Sequence, residues 1–117
     1  MGALTTHALN TMAGKPAAGL RIDLSIREDG AWRLLKTVRT NGEGRTDAPL
    51  LDAAEMRGAQ YELLFHVGEY FAGVGVSQGA LPFLEEVPVR FRIADIDAHY
   101  HVPLLMTPWS YSTYRGS

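Results

Sequence analysis

The sequence predicts an all-β fold, a sandwich or a barrel. Two observations carry that expectation. Apolar residues alternate with polar ones in four separate runs, the period of a half-buried strand. Turn-forming residues punctuate the chain at short intervals, as in domains built from many short strands. The length of 117 residues suits one domain, residues 1–117. A chain of this size buries about two-thirds of its unfolded surface and needs no covalent staple.

The elements follow in order. Leu4–Asn10 is a first, weaker strand candidate, and Ala13-Gly14-Lys15-Pro16 turns the chain. Leu20, Ile22, Leu24 and Ile26 then alternate with Arg21, Asp23, Ser25 and Arg27. Glu28-Asp29-Gly30 reads as a hairpin turn, because Asp-Gly supplies the positive φ of primed turns. Trp32–Thr40 is a second weaker strand, closed by the turn Asn41-Gly42-Glu43-Gly44. Asp52–Arg57 has helical composition with Gly58 as a stop, so it is a turn of helix or a loop. Tyr61, Leu63, Phe65 and Val67 alternate with Glu62, Leu64 and His66. Gly68–Gly75 is predicted to form a short helix. Val87, Val89, Phe91 and Ile93 make another apolar face, and so do Tyr100, Val102, Leu104 and Met106. Tyr111–Arg115 is the last strand candidate.

Composition excludes several function classes. Eleven Lys and Arg against thirteen Asp and Glu give a net charge of −2, which argues against a basic nucleic-acid surface or a polybasic membrane signal. No apolar run approaches the roughly 18 residues of a transmembrane helix. The opening Met1–Gly14 mixes polar and small residues, so no signal peptide is expected. Cysteine is absent. That removes disulfide scaffolds, cysteine zinc sites and thiol nucleophiles, and it agrees with a reducing cytoplasm.

Chemistry therefore falls to other side chains. The histidines are His7, His66, His99 and His101, and histidine is the group best poised for proton transfer near neutral pH. His99 and His101 lie two apart on a strand and share the face away from Tyr100 and Val102. With His7 as a third ligand they could bind zinc, but no carboxylate stands at a characteristic spacing, and no metal site is assigned. Arg45, in Gly44-Arg45-Thr46-Asp47, follows a turn and either presents its donor fork to an anionic or carbonyl-rich ligand or pairs locally with Asp47. The last segment, Pro108–Ser117, is too aromatic for a disordered tail. Leu64, His66, Leu105 and the aromatics of Trp109–Tyr114 exceed what one sandwich can bury, which suggests a subunit interface.

Four segments together resemble the 5-hydroxyisourate hydrolases, the transthyretin-related proteins of urate breakdown. They are Leu4-Thr-Thr-His-Ala-Leu-Asn10 with Gly14-Lys-Pro-Ala17, Gly44-Arg-Thr-Asp47, Ala98-His-Tyr-His-Val-Pro-Leu-Leu105, and Ser110-Tyr-Ser-Thr-Tyr-Arg-Gly-Ser117. Tyr61–Gly68 and Pro82-Phe-Leu84 fit as well, so the resemblance runs essentially end to end. The terminal Tyr-Arg-Gly-Ser is its specific mark, which hormone-carrying transthyretins lack. One departure is Ala8 and Asn10, where the family often has valine and aspartate around the histidine.

The resemblance implies a transthyretin-like, eight-stranded β-sandwich of two four-stranded sheets with one short helix after the fifth strand. It implies a homotetramer, a dimer of dimers, with sites enclosed along a central channel; the expected cytoplasmic location rests instead on the missing signal peptide and cysteine. It implies hydrolysis of 5-hydroxyisourate to 2-oxo-4-hydroxy-4-carboxy-5-ureidoimidazoline, with no cofactor and no metal. The family's site residues fall on His7, Arg45, His101 and Ser117 for catalysis, and on Tyr114, Arg115 and Gly116 for substrate binding. Ring opening needs a base for the attacking water, an oxyanion donor at the C6 carbonyl and an acid for the departing N1. His7 and His101 suit the proton transfers in either order, and Arg45 suits the oxyanion. Ser117 would orient a histidine or the water, and Arg115 would hold the urea-like end. The alternative is a non-catalytic carrier of small aromatic ligands on the same fold.

Overall fold

The alternation in the sequence is realised as two four-stranded sheets packed face to face. The computed structural model describes residues 1–116. In chain order the elements are β1 (Ala3–Asn10), β2 (Lys15–Pro16), β3 (Arg21–Glu28), β4 (Ala31–Arg39), β5 (Ala59–Phe65), α1 (Val67–Gly73), β6 (Val87–Ile93), β7 (His99–Met106) and β8 (Tyr111–Thr113). One sheet runs β2-β1-β7-β8 and the other β4-β3-β5-β6. The eight strands and the short helix after β5 are those that the family resemblance implies.

The core is the sum of the alternating faces. Leu4 and Ala8 from β1 and Val102, Leu104 and Met106 from β7 face Ile22, Leu24 and Ile26 from β3 and Tyr61, Leu63 and Phe65 from β5. Each is buried, and each is separated along its strand by a residue on the outer face. Helix α1 closes one end with Val67, Tyr70 and Phe71. The Tyr70 hydroxyl accepts from Asn10 Nδ2 at 3.2 Å and so ties the helix to the end of β1.

Local deviations explain the weaker expectations. The β3–β4 register slips between Leu24 and Ser25, so Leu24 faces Lys36 while Ser25 faces Leu34. Leu35 is the bulged residue, which puts two leucines side by side and hides the period of two in β4. The turn after β3 has φ of 51° at Asp29 and 78° at Gly30, the two positive values of a type I′ hairpin. Lys15–Pro16, read as part of a turn, also pairs with β1 as a two-residue strand. Asp52–Arg57 is a turn rather than a helix. Its Asp52 carboxylate accepts from Glu55 N–H, and Glu55 accepts from Asp52 N–H, both at 3.0 Å, a capping box with no helix behind it.

On the outer face of the second sheet, Asp23 gathers four polar contacts. It accepts from Thr37 Oγ1 at 2.8 Å and from Arg21 Nε and Nη2 at 3.2 and 3.3 Å, and it meets His66 Nε2 at 2.9 Å. Burial pushes its carboxyl up, but the hydrogen bonds from His66, Thr37 and Arg21 outweigh that and leave it below the usual range. A carboxyl lowered in the folded state stabilises the fold above its unfolded value, near 3.8, and that contribution disappears as pH falls below it. Asp23→Asn therefore flattens the acid end of the stability curve. Urea unfolding between about pH 5 and pH 3 should show the wild type losing more stability than the variant.

Candidate active site

The pairing of β1 with β7 builds the site. These strands run parallel, with Thr5 opposite His101 and His7 opposite Pro103. Leu4, Thr6, Ala8 and Asn10 point inward, so Thr5 and His7 share the outer face with His101. Strand spacings place the His7 and His101 Cα atoms about 8 Å apart. Two further segments extend this face. Arg45 bridges to His7 on the free edge of β1, and Gly116 bridges to His101 beside β8. Arg45, His7, His101 and Gly116 thus cross four adjacent chain segments on one sheet.

The Arg45 loop is held by Asn41. Its side-chain oxygen accepts from Glu43 N–H at 2.9 Å and Arg45 N–H at 3.2 Å, and its amide donates to Asp47 at 3.0 Å. Asp47 is thereby taken by Asn41, and among the described residues Arg45 forms no ion pair. Its guanidinium is left exposed on the site face. Gly44 allows the loop to reach β1: its carbonyl accepts from Ala8 N–H at 2.8 Å. Its φ is +75°, and a Cβ there would stand 2.4 Å from the Ala8 oxygen.

The two histidines are held by different atoms. His7 Nε2 lies 3.0 Å from the Glu43 carbonyl. A carbonyl only accepts, so Nε2 carries the proton and Nδ1 is the acid–base atom. His101 is half-buried, and its Nδ1 lies 2.8 Å from Thr5 Oγ1. Gly116 closes the opposite ring edge: a Cβ at that glycine would stand 2.7 Å from His101 Cδ2. Between these contacts, Nε2 is the ring nitrogen left for chemistry. Burial, the Arg45 charge and His7 all push the His101 imidazolium down from its ordinary value of 6.5. His101 is therefore a neutral imidazole at pH 7, as a general base must be.

The remaining expected residues divide. Tyr114 is exposed next to Gly116. Arg115 stacks its guanidinium 4.2 Å from the centre of the Tyr100 ring and donates to the His99 carbonyl at 3.1 Å. Tyr100 faces the core side of β7, so Arg115 is turned away from His101. Ser117 lies outside the described residues. His66 sits on the other sheet with Asp23 and Glu86. No cluster of three or more metal-ligating side chains is present among the described residues. The sequence gives Thr5 no role of its own; its place opposite His101 becomes visible once the parallel register is known. A cavity of about 170 Å³ adjoins Arg45, lined also by Thr5, Thr6, Thr46 and Asp47. Larger hollows of about 360 and 430 Å³ lie around α1, but Arg45, His7 and His101 line neither.

The loop geometry gives a direct test. Gly44→Ala should cost about 1–3 kcal/mol, the range for a non-glycine residue forced into strained backbone. Gly42→Ala, where a Cβ meets nothing within 4 Å, should stay within about 0.5 kcal/mol of the wild type. Urea unfolding of the two variants side by side checks the contrast.

The chain is similar to known proteins over nearly its whole length. Residues 4–116 match the family described as "Transthyretin: HIUase/Transthyretin family". The chain is 55% identical to 5-hydroxyisourate hydrolase 2 of Rhizobium meliloti, across 99% of this chain and 97% of that one. The structure of Klebsiella pneumoniae 5-hydroxyisourate hydrolase superposes with a TM-score of 0.83 at 32% identity, over the full length of both chains. An (S)-allantoin synthase superposes with a TM-score of 0.92 at 45% identity, covering 99% of this chain but 44% of that longer one. No helix among the described residues is long and apolar enough to cross a membrane. On the fold and these matches, the chain belongs to the HIUase/Transthyretin family.

Proposed function

We propose that this chain is a 5-hydroxyisourate hydrolase. The observation that carries the reading is the cluster itself: an arginine with no ion pair among the described residues and two histidines on one sheet face, with one imidazole held neutral by burial and by that arginine. A carrier of apolar ligands has little use for such a group of charges. The relatives named as hydrolases, matched over nearly the whole chain, supply the substrate.

The reaction opens a ring with water. His101 Nε2 takes a proton from the water as its oxygen bonds to C6. General-base assistance of this kind is worth about 10²–10⁴-fold. Negative charge gathers on the carbonyl oxygen, where Arg45 donates and stabilises it. Collapse of the tetrahedral intermediate breaks the N1–C6 bond, and N1 leaves with the proton that the His101 imidazolium took from the water, passed directly or through His7 Nδ1. The water's second proton leaves the new C6 carboxyl group to solvent, so the product carries a carboxylate at C6 and a ureido N–H. Gly116 packs His101 in place, Tyr114 borders the substrate, and Arg115 anchors the tail on Tyr100. Ser117 completes the site by orienting the water or a histidine.

The active form is a cytoplasmic homotetramer, a dimer of dimers. Ligand sites span about 300–1,000 Å³, whereas the cavity beside Arg45 holds about 170 Å³. A second subunit facing this sheet would supply the missing walls. Trp109 and Tyr114 expose 58% and 60% of their surface near β8, apolar area that such an assembly would cover.

The test generates 5-hydroxyisourate in place with urate oxidase and follows its ultraviolet decay, with a chelator present throughout. The protein should accelerate decay, and Arg45→Ala should lose about 10²–10³ in kcat, the size of losing an oxyanion donor. A folded wild-type protein that leaves the spontaneous rate unchanged would overturn the enzyme reading. It would leave a transthyretin-like carrier of small aromatic ligands in its place.

A further inference from the structure

One side chain in the site has no assigned task. Thr5 stands directly opposite His101 in the parallel β1–β7 register and holds its Nδ1 at 2.8 Å. Its neighbour Thr6 points inward and donates to the Val102 carbonyl at 2.7 Å, a plain structural bond. Thr5 makes no other side-chain hydrogen bond among the described residues. Its hydroxyl is therefore free to serve the imidazole alone.

Which ring nitrogen carries the proton decides what His101 can do. A neutral histidine has one N–H and one lone pair, and the partner of one nitrogen selects the state of the other. The isolated side chain prefers its proton on Nε2. That form would aim an N–H, not a lone pair, at the substrate face, because Gly116 closes the Cδ2 edge and Thr5 takes Nδ1. His7 does not meet this difficulty: the Glu43 carbonyl fixes its Nε2 proton outright. His101 has only a hydroxyl for the same purpose.

We propose that Thr5 is a positioning residue: its oxygen accepts the His101 Nδ1 proton and thereby presents Nε2 as the base. The inference rests on the hydrolase reading for its consequence in turnover, but the tautomer itself is a property of the free protein. The same hydrogen bond persists when Nε2 takes the water proton, since Nδ1–H still needs an acceptor in the imidazolium. A hydroxyl keeps its own hydrogen free to point toward the site, so the arrangement survives the whole proton cycle without a rotamer change.

The experiment pairs spectroscopy with kinetics in three proteins: wild type, Thr5→Val and Thr5→Ser. Nitrogen-15 spectra of the histidine rings, taken without substrate at neutral pH, report which nitrogen is protonated. The wild type should show His101 protonated on Nδ1, Thr5→Val should shift the proton to Nε2, and Thr5→Ser should keep it on Nδ1. In the coupled assay, kcat/KM of Thr5→Val should fall about 10- to 100-fold, the range for removing the outer partner of a metal-bound histidine. Thr5→Ser should restore most of it. A wild-type His101 protonated on Nε2 overturns the proposal, and so does a Thr5→Val variant that keeps both tautomer and rate. Loss of rate in Thr5→Val and Thr5→Ser alike, with the tautomer unchanged, assigns Thr5 to packing and also overturns it. A wild type with the expected tautomer but no hydrolysis would instead strike the function and leave the hydrogen bond standing.

Discussion

The parallel pairing of β1 with β7 is the constraint on which the rest depends. Every other pairing between the named strands is antiparallel. This one joins segments near the two ends of the chain, with Thr5 and His101 separated by 96 positions. It fixes which face each residue takes. A slip of one residue would carry His101 into the core and Val102 out to solvent. Buried Leu4, Thr6 and Ala8 on one strand and Val102, Leu104 and Met106 on the other resist such a slip. The site is thus registered by the hydrophobic core behind it.

Arg45 shows a second form of the same economy. Its strand-like bridge to His7 depends on a loop with no strand of its own. Asn41 ties the loop internally, and Gly44 lets the backbone pass close to Ala8. Tying Asp47 to Asn41 matters as much, because an Asp47–Arg45 pair would cancel the charge that the site uses. With that charge in place, one cation acts on two groups. It is the natural partner of an oxyanion, and it adds to the burial that keeps a neighbouring imidazole unprotonated.

Legibility in the sequence followed local physics. Strands β3, β5, β6 and β7 are readable because buried or half-buried apolar residues recur at every second position along them. Asp29-Gly30 was readable because the turn needs positive φ at both positions. Strand β4 read weakly because the bulge at Leu35 breaks its period. Strand β2 has two residues, too few to show any period. Asp52–Arg57 carries a real helix-start signal that goes no further than one turn. The site was harder. Nothing local separates His7 and His101 from His66, and that choice came from the family resemblance. The physical reason is the long-range register, which no short window contains. Thr5 was missed for the same reason. Arg115 has its own local logic, a cation drawn to the Tyr100 ring, which the tail motif alone does not express.

The central claim is that burial, with Arg45 and His7 beside it, keeps His101 a neutral base. Titration of the His101 ring by NMR, in the wild type and in Arg45→Gln, tests it most directly. The account predicts a wild-type midpoint below the ordinary histidine value of 6.5 and an upward move once the arginine charge is removed. A midpoint at or above 6.5 that ignores the Arg45 substitution would contradict it.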